Sequence, residues 1–158
     1  MDASFVNPFV QGAQRVFATI CQEMPSLGKI FVKPKPYYAE KVSVSVGIIG
    51  AFEGEVVYTM NETAGLFVVS RMMMGMQVPS LQDSMAQSAI CELANIISGN
   101  VATIFSCKKI EVDIKPPALR FGAVDVDFPT MQKITKVVCV PLQFQGGHVF
   151  EVDVMIVA

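Results

Sequence analysis

The sequence has few of the residues from which catalytic and metal sites are usually built. It contains one histidine, His148, so no Ser/His/Asp or Cys/His arrangement that needs a second histidine can form. Because His148 follows a Gly-Gly turn, we interpret it as structural. The four cysteines never fall into a C-x-x-C pair, which indicates neither a zinc site nor a disulfide framework. We therefore expect reduced, buried thiols and no metal held by this chain.

Phosphate loops and dinucleotide fingerprints are also missing, so nucleotide hydrolysis has no support. Three pairs of carboxylates are spaced by two residues, which places each pair on one face of a strand. They are Glu53 with Glu55, Glu111 with Asp113, and Asp125 with Asp127. Without companion ligands they are interpreted as solvated strand positions.

Charged side chains are scarce as well. They make up 16% of the residues, against roughly 25% in an ordinary soluble domain, while apolar residues make up 52%. So little polar surface predicts a self-association interface. The net charge is −2, and the lysines at 29, 33, 35 and 41 are separated by prolines, so no basic stripe for nucleic acid is predicted.

No run of the sequence is long and apolar enough to predict a membrane span. The longest strongly apolar stretch, Leu93 to Cys107, has 15 residues and is interrupted by polar ones, whereas a membrane helix needs about 20. The start of the chain lacks the basic region and apolar run of a secretory signal. These features lead us to expect a cytoplasmic protein, with no nucleic acid or membrane among its partners.

Three helices are predicted from apolar residues at helical spacing and from their end signals. Asn7 and Pro8 predict the start of a helix that Pro25 and Gly28 end. Asn61 predicts the cap of a second helix, about 62–74, which is apolar nearly all round and should be deeply buried. We interpret the methionines of residues 72–76, at the end of this helix, as core, with a plastic partner surface as the alternative. Ser80-Leu81-Gln82-Asp83 has the pattern of a capping box before a third helix, which runs to about Phe105.

The strands are predicted from alternation of period two and from glycine turns. With a size that fits one domain, 1–158, we predict an α+β fold of three helices packed on an antiparallel sheet of about six strands. Two hairpins that turn at Gly54 and at Gly146-Gly147 resemble each other, which leaves internal pseudo-twofold symmetry and ordinary turn geometry as alternatives. The predicted strands are 42–48, 56–60, 110–114, 119–121, 135–144 and 149–157.

One face of the third helix is unusual. At 100° per residue, Ser88, Glu92, Asn95 and Gly99 fall within about 60° of one another, and the apolar residues of the helix lie opposite. A solvated surface is the ordinary explanation of such a face. Asn and Gly in the middle of a helix, however, cost roughly 0.5 to 1 kcal/mol each relative to Ala. A continuous helix through Gly99 is favoured over a helix end there, because the apolar stripe stays in phase beyond it.

The pattern Ser88-x-x-x-Glu92-x-x-Asn95-x-x-x-Gly99-Asn100 resembles the signature of the CheC/CheX/FliY family of chemotaxis phosphatases. The single copy is similar to the CheX type, because the first helix has Gln11, Gln14 and Arg15 on its polar side. The resemblance implies a CheC-like fold, a homodimer, and hydrolysis of the aspartyl phosphate on a CheY-like receiver in two-component signalling. One site per chain is implied.

The resemblance also implies a role for each residue of the strip. Asn95 would orient the attacking water, Glu92 would dock the lysine of the receiver, and Ser88 and Gly99 would let the partner come close. Magnesium would be held by the receiver, and this chain would hold no cofactor. The alternative is a domain of the same fold that binds a receiver or a flagellar-switch component without hydrolysis, and a third reading is a purely structural dimer.

Overall fold

Helices and strands both contribute to the part of the chain that the computed structural model describes, which is residues 3–34, 37, 39–122, 133–134 and 136–157. These residues form three helices and eight strands, as an α+β fold requires. The helices are Ala3–Ile20 (α1), Glu62–Met72 (α2) and Ser84–Cys107 (α3). The strands are Ser26–Leu27 (β1), Phe31–Lys33 (β2), Val42–Gly50 (β3), Gly54–Met60 (β4), Val112–Ile114 (β5), Ala118–Phe121 (β6), Val137–Gln143 (β7) and Val149–Ile156 (β8).

The strands join in one open, antiparallel sheet. Among the described residues its order is β1-β7-β8-β4-β3-β5, with β2 also pairing with β7 and β6 with β3. The six predicted strands are all present, and their alternating apolar residues face the helices, as Val46, Val56 and Val154 show. The prediction missed β1, which has only two residues, and β2, which does not alternate between apolar and polar residues, whereas the equally short β5 does alternate, as Val-Asp-Ile.

The main core lies between the sheet and the helices, where α3 packs on α1 and on β3 and β5. Gly12 of α1 lets the two helices approach, since a Cβ there would lie 2.7 Å from Cγ2 of Val101. A second, smaller cluster lies on the other face of the sheet. Its buried members include Tyr37, Val57 and Met155. Both faces of the central strands are therefore covered.

The predicted start of α1 is wrong. The helix begins at Ala3, so Pro8 lies inside it instead of at its first turn. The predicted capping box of α3 is also wrong. Asp83 is the N-cap and accepts a hydrogen bond from the Met85 amide at 2.9 Å, while the Ser80 hydroxyl accepts one from the amide of Gln82. The N-cap is therefore the aspartate directly before the helix, and not the serine three residues earlier.

The second helix has the predicted cap but not the predicted burial. The Asn61 side chain accepts a hydrogen bond from the Ala64 amide at 2.8 Å, and Gly75 follows the end of the helix with a φ of 88°. Only one face of α2 is buried, at Ala64, Gly65, Val68 and Val69. The helix lies at the edge of the layer, so its other apolar side chains remain partly exposed.

The topology repeats between the two halves of the described chain. Each half has a helix, two short strands and a hairpin, namely α1, β1, β2, β3–β4 and then α3, β5, β6, β7–β8. The short strands are exchanged: β1 and β2 pair with β7, whereas β5 and β6 pair with β3. The hairpins meet at the central β4–β8 pair. This arrangement is the one that an internal pseudo-twofold axis produces.

By length and composition alone, α3 is apolar enough to cross a membrane. Within the structure it is a core helix whose apolar face packs against the sheet, and core helices commonly pass that test. Of the carboxylate pairs, Glu53, Glu111 and Asp113 are exposed and Glu55 is half-buried. Asp125 and Asp127 lie outside the described residues.

Candidate functional site

The polar strip on α3 lies on the surface, as predicted. The side chains of Ser88, Glu92 and Asn95 are exposed, and Gly99 is half-buried. The helix continues through Gly99 and Asn100 to Cys107, which confirms the continuous helix. Glu92 and Asn95 are three residues apart, so their Cβ atoms are neighbours about 5 to 6 Å apart on one face. The sequence-predicted residues are therefore brought together on one rigid element.

The opposite face of α3 is anchored in the core. It consists of five apolar residues, each at most 9% exposed: Ile90, Leu93, Ile97, Val101 and Ile104. A buried hydrogen bond also ties α3 to the sheet, since the Tyr58 hydroxyl of β4 lies 2.9 Å from the hydroxyl of Ser98. Burial raises the pKa of Tyr58, while its bond to Ser98 lowers it, so the phenol stays neutral. The packing and this bond fix how α3 is rotated, and hence where the strip points.

Within the described part of the chain, neither Glu92 nor Asn95 has a hydrogen-bond or ion-pair partner. The carboxylate offers acceptors only, and the carboxamide offers both donors and an acceptor. These groups are exposed and have no such partner among the described residues, so another molecule can contact them without first breaking a bond in that part of the chain.

Gly99 is not explained by packing inside the chain. A Cβ built there meets nothing within 4 Å, in contrast to the tight approach at Gly12. Alanine would be the better helix former at such a position. The missing side chain therefore leaves space on the outer surface of α3, one turn beyond Asn95.

Two grooves flank the strip, and Ser88 and Glu92 line both of them. The first has a volume of about 470 Å³ and holds Asn95 and Cys91 against the segment between β5 and β6. Pro116 and Pro117 form the far wall of that groove. Sequence reasoning missed this wall, although two consecutive prolines between strands are a signal for a rigid loop.

Lys115 borders the same groove but extends its side chain away from it. Its methylene groups cover Gly47, where a Cβ would lie 2.8 Å from Cδ, on the face of the sheet opposite the helices. Burial raises the pKa of Glu55 there, while Lys115 and Arg120 oppose the shift. Lys115 therefore supplies its backbone to the groove and its charge to Glu55.

The second groove, of about 540 Å³, is apolar on one side. It lies between the end of α2 and the start of α3 and is lined by Met73, Met85 and Ala89 together with Ser84, Ser88 and Glu92. We interpreted the methionines of residues 72–76 from sequence as core, and this is wrong for two of them. Met74 is 97% exposed and Met76 is 58% exposed. The chain passes through a surface turn there instead of entering the core.

The cysteines are unpaired, but their burial varies. Cys21 and Cys139 are buried, Cys91 is half-buried and Cys107 is exposed, so the expectation of buried thiols holds for only some of them. Burial raises the pKa of Cys91, the one that lines a groove beside the strip. A protonated thiol is a poor nucleophile, so the chemistry available at this site is positioning and polar contact.

A second polar cluster lies on the other face of the sheet, and no sequence pattern predicted it. The Lys33 ammonium lies 2.7 Å from Oε2 of Glu151 and 3.0 Å from Oδ2 of Asp153, and the Tyr37 hydroxyl donates to that same Oδ2 at 2.5 Å. Cys139, Glu151 and Asp153 are close enough to offer three ligands to a metal ion. The ammonium of Lys33 already satisfies these carboxylates as their cation.

Comparison with known proteins gives one consistent result. Residues 42–137 match the family described as "Chemotaxis phosphatase CheX". The CheY-P phosphatase CheX of Thermotoga maritima is 32% identical over 122 residues, which cover 77% of this chain and 78% of the relative.

Solved structures share the fold. A CheC-like superfamily protein from Shewanella sp. PV-4 has a TM-score of 0.82 at 22% identity, and the match covers 99% of each chain. A chain of the CheX-CheY-BeF3-Mg²⁺ complex from Borrelia burgdorferi has a TM-score of 0.76 at 26% identity, covering 98% of each chain. FliY from Thermotoga maritima has a TM-score of 0.73 at 20% identity, covering 98% of this chain and 87% of FliY.

Proposed function

This chain belongs to the CheX family of chemotaxis phosphatases, and we propose that it hydrolyses the aspartyl phosphate of a CheY-like response regulator. The observation that carries the proposal is the exposure of Glu92 and Asn95, side by side on an anchored helix and unpaired within the described chain. The relative from Thermotoga maritima is named for this activity, and a similar structure is a complex with CheY.

The chemistry asks little of the protein. An aspartyl phosphate is an acyl phosphate with a good leaving group, and phosphoryl transfer requires mainly an in-line nucleophile and compensation of charge on the phosphoryl oxygens. The absence of a low-pKa thiol or a second histidine is no obstacle to such a reaction. The magnesium ion would be held by carboxylates of the receiver, and this chain would contribute no metal or cofactor.

Asn95 is the residue that acts on water in this proposal. Its carboxamide would enter the active site of the receiver, accept a hydrogen bond from the attacking water and hold it in line with the phosphorus–oxygen bond to be broken. An amide cannot remove a proton at neutral pH, so its contribution is one of positioning. A side chain carried by a helix whose rotation is fixed by the core can supply that geometry.

Glu92 is the docking residue. Its carboxylate would pair with the lysine that receiver domains carry beside their phosphoaspartate, through a charge-assisted hydrogen bond. Because Glu92 lies one turn before Asn95, this contact would set the register in which Asn95 enters. Ser88 and Gly99, at the two ends of the strip, would contact the receiver through their small surfaces.

The decisive experiment is the substitution Asn95→Ala. We expect the accelerated loss of phosphate from a phosphorylated CheY-like receiver to fall by about 100-fold or more, toward the rate of the receiver alone. The exposed position and the higher helix propensity of alanine predict a thermal unfolding midpoint that is not lowered, which circular dichroism measures. Full activity in a folded Asn95→Ala protein would refute the assignment.

Glu92 is tested by binding instead of turnover. Glu92→Lys places a like charge against the lysine of the receiver. We therefore expect the dissociation constant for the receiver loaded with BeF3 and Mg²⁺ to rise at least tenfold. Titration calorimetry measures it. Lys29→Glu, an exposed charge change remote from the strip, is the matched control. Wild-type affinity in Glu92→Lys would remove the docking role.

The same experiments separate hydrolysis from simple binding. A domain of this fold that only docks receivers or flagellar-switch components would bind the BeF3-loaded receiver yet leave the rate of phosphate release unchanged. A purely structural protein would show neither effect. Phosphate release by the wild-type chain is therefore the measurement that distinguishes the three.

We also propose that the chain is a homodimer that works in the cytoplasm, where receiver domains act. The strands β1 and β2 form an edge of the described sheet and expose Leu27 (48%), Phe31 (43%) and Val32 (56%). Such an apolar edge is suited to pairing with another chain. Phe31→Lys with Val32→Lys should shift the mass in light scattering from two chains to one. An unchanged mass would place the interface elsewhere.

A further inference from the structure

Three methionines near the strip are exposed to an extent that internal packing does not explain. Met74 is 97% exposed, Met76 is 58% exposed and Met85 is 60% exposed. Together with Met73, which lines the second groove with Met85, they are referred to below as the methionine patch. A group of exposed apolar side chains in one region often marks an interaction surface, whereas single scattered ones do not.

The backbone holds the patch in place. The turn after α2 is closed by hydrogen bonds from the Gly75 amide to the Ser70 carbonyl at 2.8 Å and from the Met76 amide to the Met73 carbonyl at 3.2 Å. Met74 has a φ of 58°, a left-handed conformation that is costly for a residue with a side chain. On the other side, the Asp83 cap bonds the amide of Met85. The methionines are therefore presented by well-defined backbone on both sides of the groove.

The occupant of the patch is indicated by its continuity with the strip. Ser88 and Glu92 line the methionine groove and also the groove that holds Asn95. A protein domain that seats on Glu92 and reaches Asn95 covers the ridge between the two grooves, which places Met73 and Met85 within its reach. Interfaces commonly combine a polar contact of high specificity with an apolar area that supplies affinity. Methionine suits the second part, because its flexible thioether adapts to the surface of a partner.

We propose that the methionine patch is the apolar half of the receiver-docking surface, and that it contacts an apolar surface beside the phosphoaspartate of the receiver. This inference rests on the proposed function and assigns different roles to the strip and to the patch. The strip positions water and sets register, whereas the patch supplies binding energy that is the same before and in the transition state. Interactions of that kind lower KM without changing kcat.

The test replaces three methionines by a side chain of similar length and greater polarity. In Met74→Gln/Met76→Gln/Met85→Gln we expect the KM for the phosphorylated receiver, and the dissociation constant of the receiver loaded with BeF3 and Mg²⁺, to rise about tenfold or more, with kcat unchanged. The triple leucine variant at the same positions should keep at least half of the wild-type affinity. Met24→Gln is the matched control, because Met24 is 59% exposed but belongs to neither of the two segments, the turn after α2 and the start of α3, that flank the second groove.

The outcomes distinguish this inference from the proposed function. An unchanged KM and dissociation constant in the triple glutamine variant, with Asn95→Ala inactive, would overturn the patch and leave the phosphatase assignment intact. Weaker binding in the triple variant, with Asn95→Ala fully active, would support the patch and refute the role of Asn95. A change in oligomeric mass with unaltered receiver binding would show that a second copy of the chain covers the patch, and would overturn the inference.

Discussion

The two polar regions of this molecule differ in where their partners are found. On one face of the sheet, Lys33, Tyr37, Glu151 and Asp153 form ion pairs and hydrogen bonds with one another, and Asp153 is fully buried. On the other side, α3 displays Glu92 without any partner in the described chain. Folding pairs the charges of the first region, although Oδ1 of the buried Asp153 keeps no hydrogen bond, and it leaves the charge of Glu92 unpaired among the described residues.

The comparison shows how structure and function separate in a small fold. Removing one member of the first cluster leaves a buried charge without compensation, so stability must respond. Removing a side chain of the strip leaves only solvated neighbours, so stability should not fall and any loss of activity reports on chemistry. The distinction is tested by measuring both stability and activity in variants of each region.

The largest expected effect is on the buried cluster. In Lys33→Met, the carboxylates of Glu151 and Asp153 lose their cation, and we expect the free energy of unfolding to fall by about 3 kcal/mol. Urea denaturation measures it. The rate of phosphate release per folded molecule should not change, because the cluster lies across the sheet from α3.

Lys29→Met is the matched control for this change. Lys29 is exposed four residues earlier, and its loss should alter the free energy of unfolding by less than about 0.5 kcal/mol. Equal stability of the two variants would mean that the ion pairs of Lys33 contribute nothing measurable.

The second prediction concerns the hydrogen bond that orients α3. Ser98→Ala leaves the buried hydroxyl of Tyr58 without its partner, and we expect a loss of about 1 to 3 kcal/mol in the free energy of unfolding. Adding Tyr58→Phe removes the orphaned hydroxyl and should recover part of that loss. A double variant less stable than Ser98→Ala would show that the bond matters less than the packing of the ring.

Much of the fold could be predicted from sequence because its signals are local. Alternation of period two located six of the eight described strands, and the cap at Asn61 is the one observed. The errors occurred where two local signals compete. Ser80 and Asp83 are both capping residues, and only the geometry of the chain before α3 decides that Asp83 is used. The two shortest strands exist because β7 offers an edge, which no local pattern records.

The candidate site was predictable for the same reason, since the strip lies within a few turns of one helix. Its surroundings were not, because the prolines of the groove wall and the methionine patch come from other elements. The methionines misled the prediction, since hydrophobic composition cannot distinguish a core segment from a surface turn. In the buried cluster, Lys33 is separated along the chain from Glu151 by 118 positions and from Asp153 by 120, so only the folded sheet brings these residues together.

The third prediction is an alkaline loss of stability to which the buried cluster contributes, beside Cys21, Tyr58 and Cys91, whose pKa values burial also raises. Burial and the neighbouring Asp153 raise the pKa values of Tyr37 and Cys139 above their ordinary values of 10.0 and 9.0. Burial lowers the pKa of Lys33, but Asp153 and Glu151 outweigh it and raise that pKa above 10.5. All three groups keep their protons longer in the folded state. Above pH 9 the unfolded state therefore binds fewer protons, and the free energy of unfolding falls as pH rises.

We expect a progressive loss of stability from about pH 9 upward in thermal melts, since the lowest of these ordinary pKa values is that of Cys139. Cys139→Ala should make the loss shallower between about pH 9 and 10. Glu92→Ala should follow the wild-type curve, because that side chain is exposed and unpaired in the described chain. A wild-type stability that stays constant to about pH 10 would contradict the assignment of these groups.

The smallest expected effect is that of a glycine-to-alanine change on the free energy of unfolding, which should have opposite signs in α3 and α1. Gly99→Ala adds a methyl group where nothing lies within 4 Å, so helix propensity should raise the free energy of unfolding by about 0.5 to 1 kcal/mol. Gly12→Ala places the same group 2.7 Å from Cγ2 of Val101 and should lower it. Calorimetric unfolding distinguishes the two. If the space at Gly99 serves a partner, the stabilised Gly99→Ala protein should also bind the BeF3-loaded receiver several-fold more weakly. A variant that gains stability and keeps wild-type affinity would show that Gly99 lies outside the docking surface.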